Sequence, residues 1–314
     1  MSINLSVGGL FSGIGGIELA FKKAGFNILW ANEVDKNACI TYKLNHYHKL
    51  FEKDLRQLKT TDVSKVDVIT GGFPCQAFSV AGYRKGFNDE RGNIFFEILR
   101  FIDDIKPKVI FLENVKNLKT HDNGKTFQTI INELQNRSYN LHYKVLNTSE
   151  YSNIPQNRER IYMVCFKDKK VYENFEFPKV KKLTKTIHNL LDYNVDDKFY
   201  YSKSKYYPKL KEKMISTDTI YQWRRTYVRE NKSKLCPTLT ANMGTGGHNV
   251  PLIRDKKDIR KLTPRECARF QGYDDSFILS GELSNSALYK QVGNSVTVPI
   301  IESIAKQIIK AFDV

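Results

Sequence analysis

Cysteine is scarce in this sequence, and the few thiols present are not spaced for one another. The 314 residues hold Cys39, Cys75, Cys165, Cys236 and Cys267, an odd number with no C-x-x-C pair. That argues against a disulfide scaffold and against a zinc ribbon. Reduced thiols fit an intracellular, cytoplasmic protein. His46 and His48 are neighbours, but they lack nearby cysteine or carboxylate partners at ligand spacing. They read as surface residues, and no metal is expected. No stretch resembles a signal peptide or a membrane span, so no membrane partner is expected either. No internal repeat is evident. Acidic residues are also in short supply, 34 against 50 Lys plus Arg, for a net charge of +16 and a pI near 9.4. Such an excess points to a polyanionic partner, although a solvated lysine surface gives the same count. The excess is uneven. Between Lys167 and Leu235 there are 18 basic and 9 acidic residues, which marks where phosphate contacts are to be sought. What is plentiful is core material: 41% hydrophobic residues, with 19 Phe and 17 Tyr. The chain is therefore folded rather than disordered, and its length favours two domains.

The most informative stretch is Gly71-Gly72-Phe73-Pro74-Cys75-Gln76-Ala77-Phe78-Ser79. It follows Val66–Thr70, a β-branched run that reads as a buried strand. Two glycines allow a sharp turn, and Pro74 fixes its own backbone and restricts Phe73. Cys75 is thereby held on a stiff turn past a strand end, where open α/β sheets place their ligands. A lone cysteine is more often a small buried residue, but the Pro-Cys turn and the partners found later favour a nucleophile. Residues 76–93 then run without helical or strand period. Loops of this length are commonly lids or binding segments. Gly82, Gly86 and Gly92 supply hinges, and Ser79, Tyr83, Arg84, Lys85 and Arg91 suit an anionic ligand.

In chain order, Ser2–Leu10 reads as a first strand. Phe11-Ser12-Gly13-Ile14-Gly15-Gly16 is a glycine turn leading into a helix. Alone this is weak, since ordinary strand-to-helix connections look alike. The dinucleotide fingerprint needs a third glycine where Glu18 stands, so a nicotinamide site fits poorly. Ile28–Ala31 reads as strand two, ending at Asn32-Glu33-Val34-Asp35. A carboxylate there suits a ribose diol, and Asp35 suits the N-cap of a helix over Lys36–Asn45. Asp54 follows, able to accept from an adenine amino group. Strand three ends at the turn of Cys75. Ile94–Ile105 is an amphipathic helix, and Lys108–Leu112 is strand four, placing Glu113 on the same rim as Cys75. Thr126–Leu134 is helical, and Leu141–Leu146 and Arg160–Phe166 read as strands. Arg158 and Arg160 share a face if that segment is extended. They would serve a phosphate or a carbonyl-bearing base, or keep an edge strand soluble. Beyond Phe166 the periodicity is weak. A Thr/Asn/Gly loop spans Thr238 to His248, a helix starts at Pro264, and Pro299–Phe312 is an amphipathic helix.

At this point the motifs LFSGIGG, GGFPCQAFS, ENV at Glu113, QNRER at Gln156, RKLTPRECARFQGY at Arg260 and QVGNSV at Gln291 are in hand. Together, in this order and over nearly the whole chain, they resemble the DNA (cytosine-5) methyltransferases of bacterial restriction–modification systems. The resemblance implies an α/β fold: a Rossmann-like, S-adenosylmethionine-dependent large domain over 1–180 and 289–314, with a smaller target-recognition domain over 181–288. It implies a chain that acts as a monomer on double-stranded DNA, associated with the nucleoid, and yields S-adenosylhomocysteine. Cys75 would be the nucleophile, Glu113 would bond the base at nitrogen 3, and Arg160 the base oxygen, with Arg158 nearby supporting the site and backbone. Phe11, Ser12, Gly13, Ile14, Gly16, Glu33, Val34, Asp54, Leu55, Gly72, Pro74, Ile94, Asn294 and Ser295 would line the cofactor. Val34 stands where relatives often carry an aromatic beside the adenine. For DNA, Ser79, Arg84 and Arg91 lie on the loop after Cys75, Lys203 and Lys205 would meet phosphates, and Thr240 and Asn242 would reach base edges. A transfer RNA cytosine methyltransferase is the nearest alternative, and a catalytically dead DNA-binding homologue a further one.

Overall fold

Seven strands form the largest sheet among the described residues: β1 (Ser6–Leu10), β2 (Asn27–Asn32), β3 (Lys49–Phe51), β4 (Val68–Gly72), β5 (Val109–Val115), β6 (Asn140–Asn147) and β7 (Glu159–Phe166). Their order is β3-β2-β1-β4-β5-β7-β6. This is a computed structural model, and it describes residues 4–73, 94–224, 226–245 and 249–313. The chain divides into two compact units, the first being Met1–Leu146, Glu159–Lys179 and Ile300–Val314. The first five strands pair in parallel, and β7 enters antiparallel to β5.

Parallel strands covered on both faces read as continuous apolar runs, and β5 is buried along Val109–Leu112. Alternation sends its side chains to opposite faces. Ile110 and Leu112 join Phe95, Ile98, Leu99 and Ile102 of the helix Ile94–Ile105, and Phe127, Ile130 and Leu134 of the helix Lys125–Asn136, in one core. Phe111 instead meets Phe21 of the helix Gly16–Ala24 edge-on, with ring centroids 5.3 Å apart. From β1 the chain steps outward through β2 to β3 and then returns to place β4 on the other side of β1. The carboxyl ends of β1 and β4 thus diverge at a topological switch point, where open α/β sheets bind ligands. The expected N-cap is in place: Asp35 accepts from the backbone N–H groups of Asn37 and Ala38 at 3.0 and 3.2 Å.

The second unit is Asn147–Arg158 with Val180–Pro299. Its antiparallel sheet runs Tyr227–Glu230, Tyr221–Arg224, Val250–Arg254, Ile259–Lys261 in spatial order. Leu210, Met214, Tyr221, Val250, Leu252 and Ile259 form its small core. Arg260, fully buried, donates twice to Glu266, at 2.7 and 2.8 Å, and to Asp255 at 2.6 Å. Bidentate, charge-assisted bonding of this kind fixes geometry as well as supplying energy.

Several expectations change. The three-residue strand β3 was not expected, so the strand before Pro74 is the fourth in the chain. The four strands of the second unit fall in a region that showed only weak periodicity. The segments Asn147–Arg158 and 289–299 group with the second unit. The histidines are not both surface residues: His46 is buried, with its ring 4.3 Å from that of Tyr42, and His48 is half-buried beside the same tyrosine. Burial removes hydration from the charged imidazole and pushes both down to about 4.

Candidate active site

The turn after β1 is shaped by backbone that favours glycine. Gly13 and Gly15 have φ of +58° and +87°, a region that costs other residues a steric clash. Ser12 N–H donates to the carbonyl of Asn32 at 3.0 Å, which ties the turn to the end of β2. Buried Asn32 in turn donates to the carbonyls of Phe51 and Lys53 at 3.0 and 2.8 Å, joining the ends of β2 and β3. Glu33 completes the rim. Its Oε2 accepts from Gly13 N–H at 2.7 Å, and its Oε1 accepts from Val34 and Asp35 N–H at 2.8 Å.

These residues fit a nucleoside-bearing cofactor on two counts. A Cβ at Gly13 would meet nothing within 4 Å, so the turn faces open space. A carboxylate has about four lone-pair sites, so Glu33 keeps acceptor capacity for a ribose hydroxyl after its three backbone bonds. Val34 is 61% exposed beside it, an apolar surface of the kind an adenine covers. Asp54 is less open. Arg56 donates to it through its backbone N–H, Nε and Nη2 at 2.9, 3.0 and 2.6 Å, and holds the carboxyl below its usual range. Leu55 is buried, and Ile94 opens its helix.

The acid of the site stands at the end of β5. Glu113 is paired in register with Gly72 of β4 on one side and with Tyr162 of β7 on the other. Arg160 lies opposite Val115. Residues 113 and 115 share a face, so Glu113 and Arg160 are diagonal neighbours. Arg160 Nε lies 3.2 Å from Glu113 Oε1, with both side chains largely buried, and Nη1 donates to the carbonyl of Glu159 at 2.8 Å. Its Nη2 makes no hydrogen bond among the described residues. Asn114 points the other way and donates to the carbonyl of Phe73 at 2.9 Å. It thereby fixes the chain just before Pro74, a role the sequence did not disclose.

Arg158 does not share the face of Arg160. The strand starts at Glu159, so the alternation that would align Arg158 with Arg160 does not reach it. Arg158 is 2% exposed and donates to the carbonyls of Leu239 at 2.8 Å, Gly293 at 3.4 Å, and Ser295. Gln156 donates to the carbonyl of Phe270, and Gln271 to that of Val292 at 3.0 Å. Three of the sequence motifs and the loop that begins at Thr238 thus knit together inside the second unit. Gly293 belongs to this knot, since a Cβ there would sit 2.3 Å from the backbone of Thr240.

In the same unit, Ser295 is buried with its Oγ 2.6 Å from Tyr273 Oη, whereas Asn294 is exposed. Thr240 Oγ1 donates to Asn242 Oδ1 at 2.7 Å. Lys203 and Lys205 are exposed just before the helix Tyr207–Lys213. The assignments of Pro74, Cys75, Ser79, Arg84 and Arg91, and the hinge glycines, fall outside the described residues. The described cysteines, Cys39, Cys165, Cys236 and Cys267, are free and buried. No helix among the described residues is long and apolar enough to cross a membrane.

A mixed sheet of this order, with a glycine turn after β1 and an acid at the end of β5, together with a smaller antiparallel sheet, is an α/β fold found in methyltransferases. The crystal structure of S. pombe Dnmt2 methyltransferase shares the fold at a TM-score of 0.79 and 22% identity, covering 99% of this chain and 100% of that one. More narrowly, the chain belongs to the C-5 cytosine-specific DNA methylases, whose family model matches residues 5–310. It is 56% identical over 313 residues to Type II methyltransferase M.Bsp6I of Bacillus sp. (strain RFL6), covering 98% of this chain and 99% of the relative. It is 39% identical over 314 residues to Type II methyltransferase M.HhaI of Haemophilus parahaemolyticus, covering 95% and 92%.

Proposed function

We propose that the protein methylates carbon 5 of a flipped-out cytosine within a specific double-stranded DNA sequence, through a covalent bond from Cys75 to carbon 6. The carrying observation is Glu113, at the end of the strand adjoining the one that leads into Pro74-Cys75, paired with Arg160 of the next strand, in a chain matched by its family over residues 5–310. The turn at Phe11–Gly16 and Glu33 would hold S-adenosylmethionine, which supplies an electrophilic methyl group.

Carbon 5 of cytosine is a weak nucleophile. Addition of the Cys75 thiolate to carbon 6 moves the ring electron pair toward carbon 5, while Glu113 hydrogen-bonds at nitrogen 3 as charge develops there. Arg160 orients Glu113 and offers Nη2 to the base oxygen. Once carbon 5 carries the methyl group, loss of its proton restores the double bond and expels the thiolate. A base within a duplex is beyond reach of these groups, so it must leave the stack. Arg158 acts at one remove, by holding the knot that contains Leu239 and Ser295. The second unit supplies target recognition, with Lys203 and Lys205 on phosphates and Thr240 and Asn242 near base edges. Likeness to Type II methyltransferases supports a host-protecting role in a restriction–modification system, in the cytoplasm and on the nucleoid.

DNA carrying 5-fluorocytosine tests the covalent step, because fluorine cannot leave as a cation and the adduct persists. The wild type should form a denaturant-resistant adduct that depends on S-adenosylmethionine, and Cys75→Ser should bind the DNA without forming one. An adduct of equal yield in Cys75→Ser would end the covalent reading.

A further inference from the structure

We propose that Glu18 is a specificity-determining residue of the cofactor site, whose carboxyl lets the site tell the cationic methyl donor from the uncharged thioether product. The inference rests on the cofactor reading above.

Glu18 lies in the first turn of the helix that follows the glycine turn and is 1% exposed. Ser12 Oγ, within that turn, donates to Glu18 Oε1 at 2.7 Å. Glu18 Oε2 is buried with no hydrogen-bond partner among the described residues. The position is built for the carboxyl. A Cβ at Gly9 of β1 would lie 2.0 Å from Glu18 Oε1 and 2.9 Å from Ser12 Oγ, so only a bare backbone leaves room. Thr70 of β4 is the register partner of Gly9, and its buried Oγ1 also lacks a partner among the described residues. Register partners on parallel strands face the same side of a sheet. Two unsatisfied polar groups therefore flank one patch, just where β1 and β4 diverge. Buried polar groups are normally satisfied, and their pairing with a ligand, or with water held by one, accounts for both.

The described residues leave Glu18 without a counter-charge. Neither of its oxygens bonds a cation among the described residues. Among the described residues, the ionisable groups near it are Glu33 at the end of β2 and Tyr42 in the helix Lys36–Asn45. His46, which packs against Gly15, and its neighbour His48 are neutral near pH 7. Burial first, and then the charge on Glu33, lift the Glu18 carboxyl to about 7, while the Ser12 bond pulls the other way. A cation arriving at the turn would favour the ionised form. Linkage makes this reciprocal: ionised Glu18 binds the cation more tightly. S-adenosylmethionine carries a sulfonium charge, and S-adenosylhomocysteine does not. The preference for donor over product should therefore strengthen as pH rises through 7, which limits product inhibition.

Calorimetric titration of both ligands from pH 6 to 8.5, for wild type and Glu18→Gln, tests this. In the wild type the ratio of product Kd to donor Kd should rise by about tenfold, the change equivalent to one pKa unit. Donor binding near pH 7 should release more protons than product binding, read by repeating the titration in buffers of different ionisation enthalpy. Glu18→Gln should bind both ligands with a ratio less dependent on pH, and it subtracts proton exchange from the ligands' own amino groups. A wild-type ratio that does not rise with pH would overturn the inference without any use of the variant. So would a Glu18→Gln profile that matches wild type, or one in which both ligands weaken equally at every pH. If neither ligand binds the wild type, the cofactor reading itself falls, and this inference with it.

Discussion

Removing the Arg158 side chain separates two roles that its place in the motif leaves open. If the guanidinium holds the second unit together, Arg158→Ala must damage structure before chemistry. The side chain is 2% exposed and satisfies the carbonyls of Leu239, Gly293 and Ser295. The bond to Gly293 is long at 3.4 Å, so two carbonyls carry most of the effect. A buried acceptor left unsatisfied costs about 1–3 kcal/mol. The cavity adds to this, because Gly293 already touches the Thr240 backbone and cannot collapse inward. The expected loss is about 3–5 kcal/mol, a large share of a typical 5–15 kcal/mol total. Two units need not unfold as one, so a single urea midpoint is insufficient. Amide hydrogen exchange should be followed at Leu239–Asn242 and Gly293–Ser295, where protection should fall, while β1, β4 and β5 stay protected. Arg158→Lys should recover part of the protection, since an ammonium reaches fewer carbonyls. Exchange and urea stability unchanged from wild type, with turnover abolished, would refute the reasoning and return Arg158 to direct contact with the substrate.

Other outcomes follow from the same geometry. Glu33→Ala should weaken S-adenosylmethionine binding by about 1.5–3 kcal/mol, the worth of a charged hydrogen bond, and an unchanged calorimetric affinity would remove Glu33 from the ribose site. Glu18 has a folded pKa above its unfolded one, so the folded chain holds an extra proton between about pH 4.5 and 7 and loses stability as pH rises across that window. Glu18→Gln should therefore stabilise the protein at pH 8, by up to about 3 kcal/mol, and change little at pH 4.5; equal effects at both, by thermal unfolding, would contradict the buried-acid account. His46 works in the opposite sense: its pKa is depressed to about 4, so its contribution is present above pH 6.5 and is lost as pH falls toward 4. His46→Phe should flatten the acid limb of a stability curve, and an unaltered limb would show that other groups set it. Replacing Lys203 and Lys205 by Ala should weaken binding to all DNA sequences and lower the salt slope by up to about 1 for each phosphate no longer neutralised. Changing Thr240 or Asn242 should instead relax the preferred site, by about 1–3 kcal/mol per base pairing, and the reverse pattern in filter binding would exchange the two assignments.

Strand ends were the most legible part of the sequence, because a β-branched run stopped by glycine or an acid is both a fold signal and a site signal. Val66–Thr70 before Gly71-Gly72, and the apolar run before Glu113, were found in this way. β3 is not legible because one exposed and two half-buried residues at a sheet edge show no period. The second unit's sheet strands run to only three to five residues, and Tyr227–Glu230 is mostly exposed, so no apolar alternation marks it. Arg158 and Arg160 looked equivalent because spacing does not disclose where a strand begins. His46 looked like a surface residue because histidine is equally at home in a buried aromatic cluster. Glu18 was legible only as a missing glycine. Its burial and its bond to Ser12 arise from packing against Gly9, which no local pattern encodes.

The most direct test of the central claim is the identity and position of the methylated base. DNA from a methylation-free host expressing the protein should be digested for nucleoside mass spectrometry and sequenced for modified cytosines. The account predicts 5-methylcytosine at one recurring double-stranded sequence with the wild type and none with Cys75→Ser. Methyl groups on the exocyclic nitrogen, or 5-methylcytosine found in transfer RNA and absent from DNA, would contradict it.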